Sequence, residues 1–182
     1  IYNVLPAGIL CPGQEISLSG SQLGVNYQLR RNGTFDMGAP VPGTGGSIIM
    51  GNASLYGTYS VVAINATTNC VSYMNDSATL YPDPTAFTIV PDGVACEGDL
   101  IGLNGSEIGV DYVLLLENAI HVDTISGTGS PISFGPQLIA GNYTILAVSQ
   151  TSYCIYTMNG STVLNDAPLK HSLTPAGIQC IG

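Results

Sequence analysis

Positive charge is the scarcest feature of this sequence. Its 182 residues include 3 Lys and Arg against 12 Asp and Glu, which gives a net charge of −9. Nucleic-acid binding needs a basic face, and docking on anionic membranes needs clustered cations, so neither partner is expected. Charged residues make up only 8% of the chain, but hydrophobic residues at 45% are too frequent for a disordered protein.

Long hydrophobic runs are also missing. No stretch of about 18 apolar residues occurs, so no membrane insertion is expected, and no signal peptide is visible. The chain starts inside a strand-like segment and stops two residues after Cys180. Both ends are therefore expected to be cuts in a longer chain.

The residues that replace the missing charges favour strands and turns. Gly (23) and Pro (11) are frequent, and Val, Ile, Thr and Tyr are more prominent than helix formers. Apolar and polar residues alternate with period two, and turn residues recur every 8–12 residues or so, as in a β-sandwich. We predict an all-β fold of tandem immunoglobulin-like β-sandwich repeats, about seven strands each.

The chain repeats itself with a period of 84–85 residues. Cys11, Cys96 and Cys180 are spaced by 85 and 84 residues, and Cys70 and Cys154 by 84. The surrounding sequence agrees: LSGSQLGVNY at 18–27 matches LNGSEIGVDY at 103–112, and PGTG at 42–45 matches SGTG at 126–129. The predicted domains are residues 1–83, residues 84–168, and the first strand of a third repeat at 169–182. The joints contain proline, which stiffens linkers, so an extended rod is expected.

Two cysteines per repeat predict disulfides within each repeat, Cys11–Cys70 and Cys96–Cys154. Cys180 is then left unpaired in this sequence. Zinc or thiol chemistry is a weaker alternative, because no CxxC motif is present. Structural disulfides imply an oxidising, extracellular location.

Other site hypotheses are few. Tyr59 and Tyr143 are predicted to be tyrosine corners, with each hydroxyl bonded to backbone upstream. The two histidines, His121 and His171, do not occupy equivalent repeat positions, and no hydrolase, P-loop or metalloprotease motif occurs. The Gly-Thr-Gly segment at 43–45 is better explained as a turn than as a phosphate loop. The chain is therefore predicted not to be an enzyme, and no cofactor is expected.

Calcium at the joints between repeats is the remaining cofactor hypothesis. Asp83, Asp92 and Asp99 lie near one joint and Asp166 near the next, and carboxylates can hold Ca²⁺. Solvated turn aspartates are the alternative, since these aspartates do not recur at equivalent repeat positions.

The repeat unit Pro-x-Gly-x-x-Cys, Gly-Ser-x-x-Gly-Val-x-Tyr, Gly-Thr-Gly and Gly-x-Tyr resembles repeats of giant cell-surface proteins of Bacteroidetes. The best-known kind is the gliding-motility adhesin exported by the type IX secretion system. The resemblance implies a surface filament that contacts a substratum or polysaccharide. It also implies O-glycans on Asp-Ser/Thr before an apolar residue, which here means Ser77 and Thr124.

Two functional classes follow. The first is a structural or adhesive segment of a long extracellular filament, with neighbouring repeats, surface polysaccharide or other filament chains as partners. The alternative is a carbohydrate-binding accessory β-sandwich module of a secreted protein. Such binders usually expose planar aromatic side chains, and this chain has no Trp, 3 Phe and 10 Tyr.

Overall fold

A computed structural model describes residues 1–168. The predicted third repeat, with His171 and Cys180, lies outside the described residues. Within residues 1–168 the secondary structure is β-strand without any α-helix, and accordingly no helix there could cross a membrane. The predicted all-β fold is confirmed.

The first nine strands form two sheets. Their bounds are β1 Val4–Leu5, β2 Gly8–Leu10, β3 Glu15–Leu18, β4 Val25–Arg31, β5 Phe35–Pro42, β6 Ile48–Asn52, β7 Gly57–Asn65, β8 Val71–Tyr73 and β9 Ala78–Leu80. One sheet has the order β1-β3-β6, and the other has the order β2-β9-β7-β4-β5 with β8 also paired to β7.

The next nine strands repeat this arrangement. Their bounds are β10 Ile89–Val90, β11 Gly93–Cys96, β12 Leu100–Leu103, β13 Val110–Leu116, β14 Ile120–Ser126, β15 Ile132–Pro136, β16 Gly141–Ser149, β17 Ile155–Thr157 and β18 Thr162–Asn165. The sheets are β10-β12-β15 and β11-β18-β16-β13-β14, with β17 paired to β16.

The topology is that of an immunoglobulin-like sandwich. The opening segment pairs antiparallel with β3 in one sheet, through β1, and parallel with β9 in the other, through β2. The two sheets bury their inner faces against each other, because alternate residues along each strand point to one side. The core of the first sandwich is formed by buried side chains such as Ile16, Leu18, Tyr27, Tyr59 and Val61.

Each sandwich has nine short strands, where about seven were predicted, because the chain is interrupted at two places in the repeat. Pro6 has no N–H for a ladder bond, and the chain changes sheets there, between β1 and β2. The segment from residue 71 to residue 81 is divided at Asp76, which has a φ of 63°, so it gives β8 and β9. A residue in the left-handed region cannot continue an extended strand.

The described chain divides into two compact units. The first contains Ile1–Thr85, Gly109–Asp111 and Ala147–Tyr156, and the second contains Ala86–Ile108, Tyr112–Leu146 and the segment from Thr157. Two short segments of the second sequence repeat, one of them carrying Cys154, thus belong to the first unit.

Candidate functional site

The disulfide of the described chain joins Cys11 to Cys154, with the two Cα atoms 5.5 Å apart. Both predicted disulfides, Cys11–Cys70 and Cys96–Cys154, are therefore wrong. The bond connects cysteines that are 143 residues apart. It joins the first cysteine of one sequence repeat to the second cysteine of the next repeat, and both bonded residues lie in the first compact unit.

The length of β7 explains why a repeat cannot pair its own cysteines. Cys11 follows Leu10, which pairs with Leu80, and Leu80 in turn pairs with Gly57 at the start of β7. Cys70 precedes Val71, which pairs with Ile64 near the end of β7. The seven steps from residue 57 to residue 64 span about 23 Å at ~3.3 Å per residue. A disulfide needs Cα atoms within roughly 7 Å.

Cys70 and Cys96 are free thiols, and both are exposed. Their repeat equivalents differ in state: Cys154 is only 2% exposed and is bonded to Cys11. The Sγ of Cys154 lies 3.6 Å from the carbonyl oxygen of Leu10.

The first cysteine of each repeat is held by the same tight turn. The backbone N–H of Cys11 donates to the side-chain Oε1 of Gln14 at 2.9 Å. The N–H of Cys96 donates to the Oδ2 of Asp99 at 2.8 Å. Gly13 has a φ of 79° and its equivalent Gly98 has a φ of 95°. Glycine adopts such positive φ values without strain. The turn therefore does not depend on whether the cysteine is bonded.

The second cysteine of each repeat also has one conserved local geometry. The N–H of Asn65 donates to the carbonyl oxygen of Cys70 at 2.9 Å, and the N–H of Ser149 donates to that of Cys154 at 3.1 Å. The preceding residues, Asn69 and Tyr153, both have a φ of 57°. The loop around the free Cys70 is thus already in the conformation that the bonded Cys154 has.

A cleft of about 250 Å³ opens beside Cys70. Its lining is mainly apolar and includes Ile1, Val25, Tyr27 and Val71. Ile1 is 79% exposed and Val71 is 56% exposed. This surface, which we call the Cys70 cleft, lies in the first unit beside a free thiol.

The two corner tyrosines lie in β7 and β16 with their rings buried. The hydroxyl of Tyr59 donates to the carbonyl oxygen of Leu55, and that of Tyr143 donates to the carbonyl oxygen of Ile139 at 2.8 Å. Burial raises the pKa of Tyr143. Each hydrogen bond anchors the loop that leads into the strand.

The Gly-Thr-Gly segment is a turn fixed by a buried serine that the sequence did not single out. The Oγ of Ser21 accepts the N–H of Thr44 at 2.9 Å and donates to the carbonyl oxygen of Gly46 at 2.6 Å. A Cβ on Gly43 would lie 2.1 Å from the carbonyl oxygen of Gln22. The recurrence of Gly-Ser at 20–21 and 105–106 was the available signal. The segment is thus a closely packed turn.

The remaining predicted sites are scattered. Among the described residues, no three His, Cys, Asp or Glu side chains lie together as a metal site. Asp99 and Asp92 instead accept backbone N–H groups, from Cys96 and Ser161. Calcium at the joints stays a prediction.

The candidate O-glycosylation residues differ in access. Thr124 is exposed on β14, an edge strand, and its hydroxyl lies 2.9 Å from the Nε2 of His121. Ser77 is half-buried, and its carbonyl oxygen accepts the N–H of Gly8 at 2.9 Å. Thr124 is thus the more accessible of the two hydroxyls.

Comparison with known proteins assigns no family. No family model matches the sequence, and no curated protein matches it. Three solved structures illustrate the similarities that are found. Fibronectin(III)-like modules of Clostridium thermocellum CbhA align with a TM-score of 0.37 at 10% identity, over 97% of this chain and 100% of that one.

The second is a segment of two fibronectin type-III domains from chicken tenascin. It gives a TM-score of 0.41 at 10% identity, over 90% of this chain and 97% of that one. The third, Bacteroides ovatus SGBP-B in complex with a mixed-linkage heptasaccharide, gives 0.29 at 15% identity, over 87% of this chain and 43% of that one. At TM-scores below 0.5, these likenesses carry no conclusion about the family or function of this chain.

Proposed function

We propose that the chain is a structural and adhesive repeat segment of a long extracellular filament or stalk at the cell surface, without catalytic activity. The observation that carries this proposal is the Cys11–Cys154 disulfide. It adds a second covalent connection between successive sequence repeats, which suits a chain that must transmit tension. A disulfide that closes so long a loop also suits an oxidising compartment outside the cytosol.

The repeat itself supports the same proposal. Repeating one pattern of strands adds length to a molecule in regular steps, which a stalk requires. Catalysis requires a single site and gains nothing from such repetition. The resemblance of the repeat unit to giant Bacteroidetes surface proteins adds a source class and a type IX export route. The partners proposed are neighbouring repeats in a rod, surface polysaccharide and other filament chains, with Thr124 or Ser77 as glycan attachment sites.

Labelling of intact cells tests the location. Antibodies against the chain should label unpermeabilised cells of the source organism, and external protease should remove the signal. An intracellular lipoprotein or periplasmic marker serves as the control for leakage. Signal that appears only after lysis would contradict the proposal.

A carbohydrate-binding module is the second candidate, favoured by a cleft of about 310 Å³ in the first unit. Its lining includes Tyr56, Tyr81 and Asp83, and the two tyrosines are 63% and 37% exposed. Exposed aromatic rings beside a carboxylate suit sugar rings with their hydroxyl groups. A glycan array should then show binding that Tyr56→Ala abolishes. Tyr73→Ala is the matched control, because Tyr73 is equally exposed but outside the cleft.

A further inference from the structure

We propose that Cys70 and Cys96 are the two open halves of a repeated linkage, in which the first cysteine of each repeat bonds the second cysteine of the next. Cys70 then accepts the first cysteine of a preceding repeat of the same kind. Cys96 bonds the second cysteine of a following repeat. This goes beyond the proposed filament function, because it names the partner of each thiol and the order of bonding.

Sequence equivalence supplies the template. Cys96 stands at the position of Cys11, and Cys70 at the position of Cys154. Cys11 and Cys154 are bonded. The described chain therefore contains one example of a bond from the first cysteine of one repeat to the second cysteine of the next. If Cys70 and Cys96 pair in the same way, the partner of each lies in a neighbouring repeat and not in its own repeat.

Local geometry shows that both free cysteines are ready for this bond. The turn that holds Cys96 has the backbone-to-side-chain hydrogen bond of the turn that holds Cys11. The loop of Cys70 has the hydrogen bonds and the left-handed residue of the Cys154 loop. Neither loop needs to refold to reach the bonded form, so little conformational entropy is lost on bonding.

Burial identifies the surface that the partner covers. Around the bonded cysteine, Ser152, Cys154 and Met158 are 6%, 2% and 4% exposed. Of their equivalents in the first repeat, Thr68 and Cys70 are exposed and Met74 is half-buried.

The occupant of the surface at Cys70 is therefore the cysteine turn that follows the strand equivalent to Gly8–Leu10, because the Sγ of Cys154 is bonded to Cys11 and lies 3.6 Å from the carbonyl oxygen of Leu10. That strand with its cysteine is Gly-Ile-Leu-Cys in the first repeat and Gly-Val-Ala-Cys in the second. Leu10 itself is buried in the core of its own sandwich, so the turn and its sulfur make the contact.

The chemistry is a balanced two-electron oxidation. Two thiols lose two protons and two electrons as the S–S bond forms. A disulfide of an oxidoreductase or of oxidised glutathione accepts both, so that its own S–S bond breaks into two thiols. The contact is heterologous, with two different surfaces meeting, and such contacts build an open array when the rotation from one repeat to the next does not close a ring.

A head-to-tail fusion tests the rule. Residues 1–169 are joined to a complete second copy, so that Ile1 follows Leu169, and Cys180 is replaced by Ser. The fusion is folded in a mixture of reduced and oxidised glutathione. Its thiols are blocked with iodoacetamide, and its peptides are mapped by non-reducing mass spectrometry. The Cys11–Cys154 peptide pair in each copy reports that both copies have folded and oxidised.

The expected result is a peptide pair between Cys96 of the first copy and Cys70 of the second, with half as many titratable thiols as two separate chains that carry Cys180→Ser. Cys70→Ser in the second copy should abolish that pair. The same substitution in the first copy is the matched control and should leave the pair intact. The proposal is overturned if both cysteines remain alkylated while Cys11–Cys154 forms, or if Cys11–Cys154 itself is absent. Failure here does not affect the cell-surface labelling result, so the two proposals fail separately.

Discussion

Reducing the Cys11–Cys154 disulfide should lengthen the force-unfolded chain by about 500 Å. The bond bypasses 143 residue steps, and a fully extended chain spans roughly 3.5 Å per residue. While the bond is intact, only the residues before Cys11 and after Cys154 can be drawn out. Once it is reduced, the whole loop, which contains most strands of both sandwiches, becomes available to the applied force.

Single-molecule stretching from the two chain ends measures this length directly. Handles are attached through peptide tags, and Cys70, Cys96 and Cys180 are replaced by Ser, so that Cys11–Cys154 is the sole bond. Traces in buffer should show the short extension, and traces with added dithiothreitol should show the long one. Cys11→Ser should give the long extension under both conditions. Equal lengths with and without reductant, in a chain that retains Cys11, would refute the assigned pairing.

Three further outcomes follow from the packing. Gly43→Ala should lower the free energy of unfolding by about 1–3 kcal/mol in urea titrations, because its Cβ meets backbone, whereas Gly46→Ala should be neutral. Tyr143→Phe should cost about 1 kcal/mol by the same measurement, through the lost bond to a loop carbonyl. Burial, and then the Asp83 carboxylate, raise the pKa of Tyr156 to about 12. Between pH 10 and about 12 the tyrosine ionises in the unfolded chain but not in the folded one. The free energy of unfolding is therefore fully retained below pH 10 and falls as the pH rises to about 12. Tyr156→Phe should flatten that decline in alkaline unfolding curves.

The sequence carries enough information to predict the class of fold. Alternation around Val25, Tyr27 and Leu29 places every second residue in the core, as the period of a strand requires. The interruptions were harder to locate. Proline at position 6 marks a break in a strand, but only the tertiary fold shows that the chain crosses there to the opposite sheet.

The disulfide pairing could not be deduced from spacing. Equal spacing fits bonds within a repeat and bonds between successive repeats equally well, and connectivity is a property of the fold. The deciding quantity is which end of β7 each cysteine faces. Gly57 and Ile64 fix that through their partners on β9 and β8. The buried role of Ser21 was missed for a similar reason, since its partners are 23 to 25 residues away.

The long disulfide loop also changes what one proteolytic cut can do. Any single cleavage between residues 12 and 153 leaves two pieces that are still tied by the sulfur bridge between Cys11 and Cys154. That interval includes the proline-containing joint at residues 80–85, where an exposed linker is most open to proteases. A nicked molecule would migrate as one species without reductant and as two with it. The chain can thus be damaged by proteases without its ends coming apart.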